Sequence, residues 1–253
     1  MICLRNVSAG YPGRPALSIP SLDLSSGIIT LAGENGSGKS TLLKTILGLV
    51  PHAGSLLVDE QDPSALQAKK RAALLAYLPQ ENPVPDMTVR MLASHGRFSR
   101  MNFSRRMTAA DLAAVNSALS LAGMKELADR NLATLSGGER KRAWLAMVIA
   151  QDAPYLLLDE PGAGLDVRHQ QELGEILRSL RDLGHTILLA SHDLPQSFAI
   201  SDRICLIKSG TIIADGSPAD LVRQPELLEQ GLHLHLIPAA DPDSLYPYLL
   251  AKS

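Results

Sequence analysis

The sequence predicts an α/β protein. The expected architecture is a mixed sheet with helices on both faces, an antiparallel β subdomain at the start and an inserted α-helical subdomain. Three observations point there. Residues 28–32 form a continuous apolar run that enters a glycine-rich loop, and an apolar helical pattern over 39–47 follows, closed by Gly48. A second apolar run, Tyr155-Leu156-Leu157-Leu158, ends in two carboxylates, Asp159 and Glu160. Between them, residues 83–135 give up the strand pattern for helical spacing. The expected organisation is therefore one domain over 1–253. Residues 1–82 and 136–225 form the α/β core with its β subdomain, 83–135 the helical subdomain, and 226–253 a tail.

Each element has its own signal. Residues 2–7 and 17–24 are short apolar runs separated by Tyr11-Pro12-Gly13, which reads as antiparallel strands joined by a turn. Pro83 and Pro85 interrupt the core; 87–95 looks helical, 101–106 basic and irregular. Residues 108–122 have amphipathic helical spacing with Asp111 in the first turn. The α/β rhythm then resumes with a helix over 168–183, a strand over 186–190, and strands over 204–208 and 211–214 flanking Ser209-Gly210. The tail, with His233 and His235, gives no clear pattern.

Composition narrows the class. The 253 residues are 45 % hydrophobic and 20 % charged, with a formal net charge of -2. A duplex-binding protein usually carries a basic excess, so nucleic acid is not the expected partner. Cys3 and Cys205 lie far apart without a CxxC or histidine companion, as expected of small apolar residues in a reducing compartment. Residues 1–6 lack the charged head and apolar stretch of a signal peptide. No run of about eighteen apolar residues occurs, so no bilayer span is expected and the chain should be cytosolic.

The chemistry sits in three motifs. Gly33-Glu34-Asn35-Gly36-Ser37-Gly38-Lys39-Ser40-Thr41 satisfies G-x-x-x-x-G-K-[ST] between a strand and a helix. Its glycines let successive N–H groups point at phosphate oxygens, and the helix adds its positive end. Lys39 is expected to reach the β- and γ-phosphates of ATP, and the Ser40 hydroxyl to bind Mg²⁺. Asp159 is placed to hold the same Mg²⁺, and Glu160 to polarise an attacking water. Leu135-Ser136-Gly137-Gly138-Glu139 opens a long helix (140–151), with Ser136 as N-cap and Glu139 completing a capping box. Capping does not account for Gly137 and Gly138; a phosphate approaching the helix end would.

These motifs in this order, a P-loop NTPase core with an intervening Leu-Ser-Gly-Gly-Glu, resemble the nucleotide-binding subunit of an ABC transporter, up to about residue 225. The resemblance implies further roles. Tyr11 would stack on adenine. Gln80 would touch Mg²⁺ and the water. His192, in Ser191-His192-Asp193, would contact the γ-phosphate, and Asp166 would bridge two copies of a homodimer. Ser136, Gly137 and Gly138 of one copy would cap ATP held by the other. The usual Thr after the Pro of Asp-Glu-Pro and the usual Ser before Gly164-Leu165-Asp166 are here Gly162 and Ala163. The family implies transmembrane permease subunits, with a coupling helix docking near 80–96, and a substrate-binding protein outside the membrane. Met87-Thr88-Val89-Arg90, His95-Gly96-Arg97, Ala128-Asp129-Arg130 and His169-Gln170 resemble the importers of ferric siderophores, haem and cobalamin. Compact length also fits an importer. Other importer or exporter cargo stays open, as does a soluble ATPase of DNA repair or translation, although such chains carry two cassettes or a long coiled-coil insertion. A binding module without turnover would lack Lys39 or Glu160.

Overall fold

A computed structural model describes residues 1–101, 106–224 and 226–228, and the backbone alone of 234–238 and 248–252. The amino-terminal third runs β1 (Ile2–Tyr11), β2 (Arg14–Leu24), β3 (Ile28–Ala32), α1 (Lys39–Ile46), β4 (His52–Val58), α2 (Ala68–Leu74) and β5 (Leu75–Leu78). Then follow α3 (Val89–His95), α4 (Ala109–Leu121), α5 (Gly137–Gln151), β6 (Tyr155–Asp159) and α6 (Val167–Asp182). The chain continues with β7 (Thr186–Ser191), α7 (Leu194–Ile200), β8 (Arg203–Lys208), β9 (Thr211–Gly216) and α8 (Pro218–Val222). Two strands close it, β10 (Leu234–Pro238) and β11 (Tyr248–Lys252). The chain divides into two compact units, Met1–Leu66 with Thr186–Ser253, and Gln67–His185.

In the first unit β1 pairs antiparallel with β2 and with β4. Pairing with β4 as far as Ala9 and with β2 as far as Tyr11 carries β1 past the apolar run at 2–7. β3 is the inner strand of a second sheet, parallel to β7 on one side and to β8 on the other. All five β3 residues are buried, which is why that stretch reads as an unbroken apolar run rather than an alternation. β9 returns antiparallel to β8, making the sheet mixed. Ala32, Leu194, Phe198, Ile204, Leu206 and Leu221 form one buried cluster that fixes α7 and α8 to this sheet. At roughly 1.5–3 kcal/mol per buried Leu, Ile or Phe, the strand feeding the glycine loop is a stiff support. β10 and β11 pair antiparallel in the tail.

In the second unit β5 and β6 are parallel, Leu75 opposite Tyr155 and Leu78 opposite Leu158. α3 and α4 pack on each other and on α5. Thr108 caps α4 with a reciprocal bond to Asp111, and Thr88 caps α3. Among the described residues no helix is long and apolar enough to cross a membrane. Part of the basic 101–106 stretch and the tail histidines His233 and His235 lie outside the residues described in full.

Candidate functional site

In the first unit the loop after β3 is built around two glycines. A Cβ on Gly33 would lie 2.3 Å from the Ile207 carbonyl oxygen on β8, and Gly38 holds φ 113 as the N-cap of α1. Neither position tolerates a larger residue without backbone movement. Lys39 is 5 % exposed. Its ammonium donates to the carbonyls of Gly33 at 2.7 Å and Glu34 at 3.0 Å, within its own loop. Ser37 donates its N–H to the Glu34 carbonyl at 3.2 Å, and its buried hydroxyl has no hydrogen-bond partner among the described residues. A buried orphan hydroxyl is uncommon unless a ligand completes it. Asn35 and Gly36 are exposed, and Ser40 and Thr41 half-buried.

The β8–β9 turn supports this loop. Gly210 donates its N–H to the Ser37 carbonyl at 2.8 Å and accepts from the Ser18 N–H at 2.8 Å. Sequence reasoning found the Ser209-Gly210 turn but not its role, because the contact joins residues far apart in the chain. Tyr11 stands 49 % exposed at the tip of the β1–β2 hairpin, lining a hollow with Ser8, Arg14, Pro51 and His52. His192 is exposed just past β7. The Asp193 N–H donates to Ser191 Oγ at 3.0 Å, and the Asp193 carboxylate caps α7 by accepting the Gln196 N–H.

In the second unit β6 ends in Asp159 and Glu160, 2 % and 6 % exposed. Tyr77 on β5 donates its hydroxyl to Asp159 Oδ2 at 3.2 Å. Glu160 adopts φ 52, a left-handed conformation costing of order 1–3 kcal/mol for a non-glycine residue. Such strain concentrates at functional positions, and here it turns the chain sharply after the second carboxylate. Asp166 caps α6: one carboxylate oxygen accepts the His169 N–H at 2.9 Å and faces His169 Nδ1 at 2.8 Å. The His169 amide holds that carboxyl below the ordinary range.

The Ser136 capping box forms as expected. Ser136 donates its N–H to Glu139 Oε2 at 2.7 Å, and Glu139 donates its N–H to Ser136 Oγ at 3.3 Å. The Ser136 N–H pulls the Glu139 carboxyl below its usual value. A Cβ on Gly137 would meet no atom within 4 Å, and one on Gly138 only the His169 ring, at 3.4 Å and beyond. Packing among the described residues therefore does not demand the glycine pair. Gln80, Gly138, Lys141, Glu160, Leu165 and His169 line one hollow. This brings three expected site residues together and adds Lys141 and His169. Sequence reasoning missed Lys141 in this hollow; its only signal in the sequence is a basic side chain one turn into α5. Lys39, Ser40, Tyr11 and His192 belong to the first unit; Gln80, Ser136, Asp159, Glu160 and Asp166 belong to the second.

A G-x-x-x-x-G-K-[ST] loop on a parallel strand, a carboxylate pair at another strand end and a glycine-led capped helix are the parts expected of an ATP-hydrolysing cassette. The sequence profile of the family described as ABC transporter matches residues 17–163, and the chain belongs to that family. It is 37 % identical over 234 residues to the petrobactin import ATP-binding protein YclP of Bacillus subtilis, covering 90 % of this chain and 92 % of the relative. It is 37 % identical over 215 residues to the ferric enterobactin transport ATP-binding protein FepC of Escherichia coli, covering 84 % of this chain and 79 % of the relative. A solved ABC transporter assigned to the metal-chelate type, in an inward-facing conformation, superposes with a TM-score of 0.82. Its sequence identity is 25 %, over 98 % of this chain and 95 % of the solved one.

Proposed function

We propose that this chain is the ATPase subunit of an importer of iron(III)-siderophores. It works as a homodimer bound to transmembrane permease subunits on the cytoplasmic face of the membrane, with a binding protein outside delivering the cargo. The observation that carries the cargo is the run of relatives named for petrobactin, iron(3+)-hydroxamate and ferric enterobactin, at 37 %, 36 % and 37 % identity.

The loop N–H groups and Lys39 hold the β- and γ-phosphates of ATP, the Lys39 ammonium exchanging the Gly33 and Glu34 carbonyls for phosphate oxygens. The unpaired Ser37 hydroxyl is a further donor for that phosphate. Tyr11 stacks on the adenine. Mg²⁺ suits the donor set: the Ser40 hydroxyl, the Asp159 carboxylate steadied by Tyr77, and the Gln80 amide oxygen are all hard oxygen ligands. Bound there, it would neutralise charge on the β- and γ-phosphates. Glu160 orients a water and takes its proton while the water oxygen bonds to the γ-phosphorus and the bond to the bridging oxygen of ADP breaks. His192 contacts the γ-phosphate.

Ser136, Gly137 and Gly138 cap the nucleotide of the twin subunit, with Glu139 fixing the helix end, and Asp166 bridges the copies. ATP thus closes the dimer, and hydrolysis releases it. Lys39→Ala should abolish ATP hydrolysis by the purified protein; turnover near that of the wild type would remove the assignment. For the cargo, cells lacking this subunit should fail to accumulate radiolabelled ferric siderophores while taking up cobalamin and haem normally. The reverse pattern would overturn the reading.

A further inference from the structure

Pro161, Gly162, Ala163 and Gly164 follow Glu160 and carry no hydroxyl, amide or charge with which to pin the turn they make. Two backbone bonds shape that turn. Ala163 donates its N–H to the Glu160 carbonyl at 3.2 Å, and Leu165 donates to the Gly162 carbonyl at 3.1 Å. Both are ordinary backbone bonds, and a side chain adds a further support. That support comes from α5. The Lys141 ammonium donates to the Ala163 carbonyl, so Ala163 is held on one side by Lys141 and on the other by the Glu160 main chain.

The placement of Lys141 is unusual for a lysine. Such side chains ordinarily keep the charged head in water and bury only the stem. Here the head is part-buried on the Ala163 carbonyl, and the side chain lines the hollow together with Gly138, Glu160 and His169. Burial pushes its pKa down, and the Glu160 carboxylate pushes it back up. An ammonium kept in a half-buried hollow is costly without partners, and among the described residues it has the Ala163 carbonyl and the field of Glu160. The same helix begins at Ser136 and Gly137, so one rigid element carries both the nucleotide-capping end and the support for the Glu160 turn.

We propose that Lys141 is a positioning residue for ATP hydrolysis, which acts through the Ala163 carbonyl to fix the turn that aims Glu160. The inference rests on the reading of Glu160 as the hydrolytic base. A base must sit within hydrogen-bond reach of its water, and a displacement of about 1 Å can cost about 100-fold in rate. Lys141→Met keeps the length of the stem and removes the ammonium. It should lower kcat for ATP about 10- to 100-fold. The KM for ATP should stay within about threefold of the wild type, with the melting midpoint unmoved. Lys141→Arg, which restores a donor and a charge, should recover most of the rate.

Steady-state ATPase assays on the purified wild type, Lys141→Met, Lys141→Arg and Glu160→Gln provide the test. Unchanged kcat in Lys141→Met beside an inactive Glu160→Gln would overturn the inference and leave the site reading standing. So would a loss that Lys141→Arg does not reverse, or one in which KM and melting midpoint move with kcat. Full activity in Glu160→Gln would overturn the site reading itself. If Lys141→Met does not fold, Lys141→Gln takes its place. The expected order of kcat is then wild type, Lys141→Arg, Lys141→Gln, and equal values would overturn the proposal.

Discussion

Arg97→Ala should destabilise the second unit severely, through a buried charge left behind. Arg97 and Asp111 are 7 % and 6 % exposed. Arg97 Nε donates to Asp111 Oδ1 at 3.0 Å, and Nη1 donates to the Ala150 carbonyl on α5 at 2.9 Å. The other oxygen of Asp111 accepts the Thr108 N–H at 3.0 Å and the Thr108 hydroxyl at 2.7 Å, closing the cap of α4. Alanine would leave the carboxylate buried without its cation and the Ala150 carbonyl without this donor. Breaking a buried ion pair by removing one partner costs about 3–5 kcal/mol. In a chain of this size each kcal/mol lowers Tm by about 2–4 °C, so a cost near the middle of that range should lower it by about 8–16 °C. Circular dichroism melting at neutral pH measures this directly. A loss of under about 1 kcal/mol, the value of an exposed pair, would refute the reasoning. The double variant Arg97→Met with Asp111→Leu should recover part of the loss, because it removes both charges together, but not the part owed to the Thr108 cap and the Ala150 carbonyl, which stay without their partners.

Two further outcomes follow from the same structure. The Thr108 N–H, the Thr108 hydroxyl and Arg97 hold the Asp111 carboxyl down at about 2, below its ordinary 3.8. A carboxyl lowered by folding contributes stability that is complete above its unfolded value and fades as pH falls through its folded value. The urea midpoint of the wild type should therefore fall more steeply than that of Asp111→Asn between about pH 4 and pH 2, and parallel curves would contradict this. Tyr11→Ala should raise the Kd for ATP about 5- to 150-fold, from the loss of a stacking interaction of about 1–3 kcal/mol, with kcat little changed. Equal affinity, measured by a fluorescent ATP analogue, would remove Tyr11 from the adenine site.

Local signals carried much of this molecule. The glycine loop and the Ser136–Glu139 box each lie within a few residues, so their chemistry is written in adjacent letters. The buried strands at 28–32 and 155–159 were legible for the same reason, since a strand covered on both faces has no alternation to disguise it. What stayed hidden was non-local. The Gly210–Ser37 bond, the Lys141–Ala163 contact and the Arg97–Asp111 pair depend on chain reversals that spacing does not encode. Arg97 was visible as part of a Gly-Arg element, but not as the cation that neutralises a helix-capping aspartate. β4 escaped notice because Ala53, Gly54 and Ser55 are poor strand formers; its pairing with β1 holds it in place.

ATP held between two copies of the chain is the central claim, and multi-angle light scattering of Glu160→Gln with and without MgATP tests it most directly. The account predicts a nucleotide-dependent species of twice the 27.1 kDa chain mass, lost again in Ser136→Arg. A particle that binds ATP yet stays at 27.1 kDa at every protein concentration would contradict it.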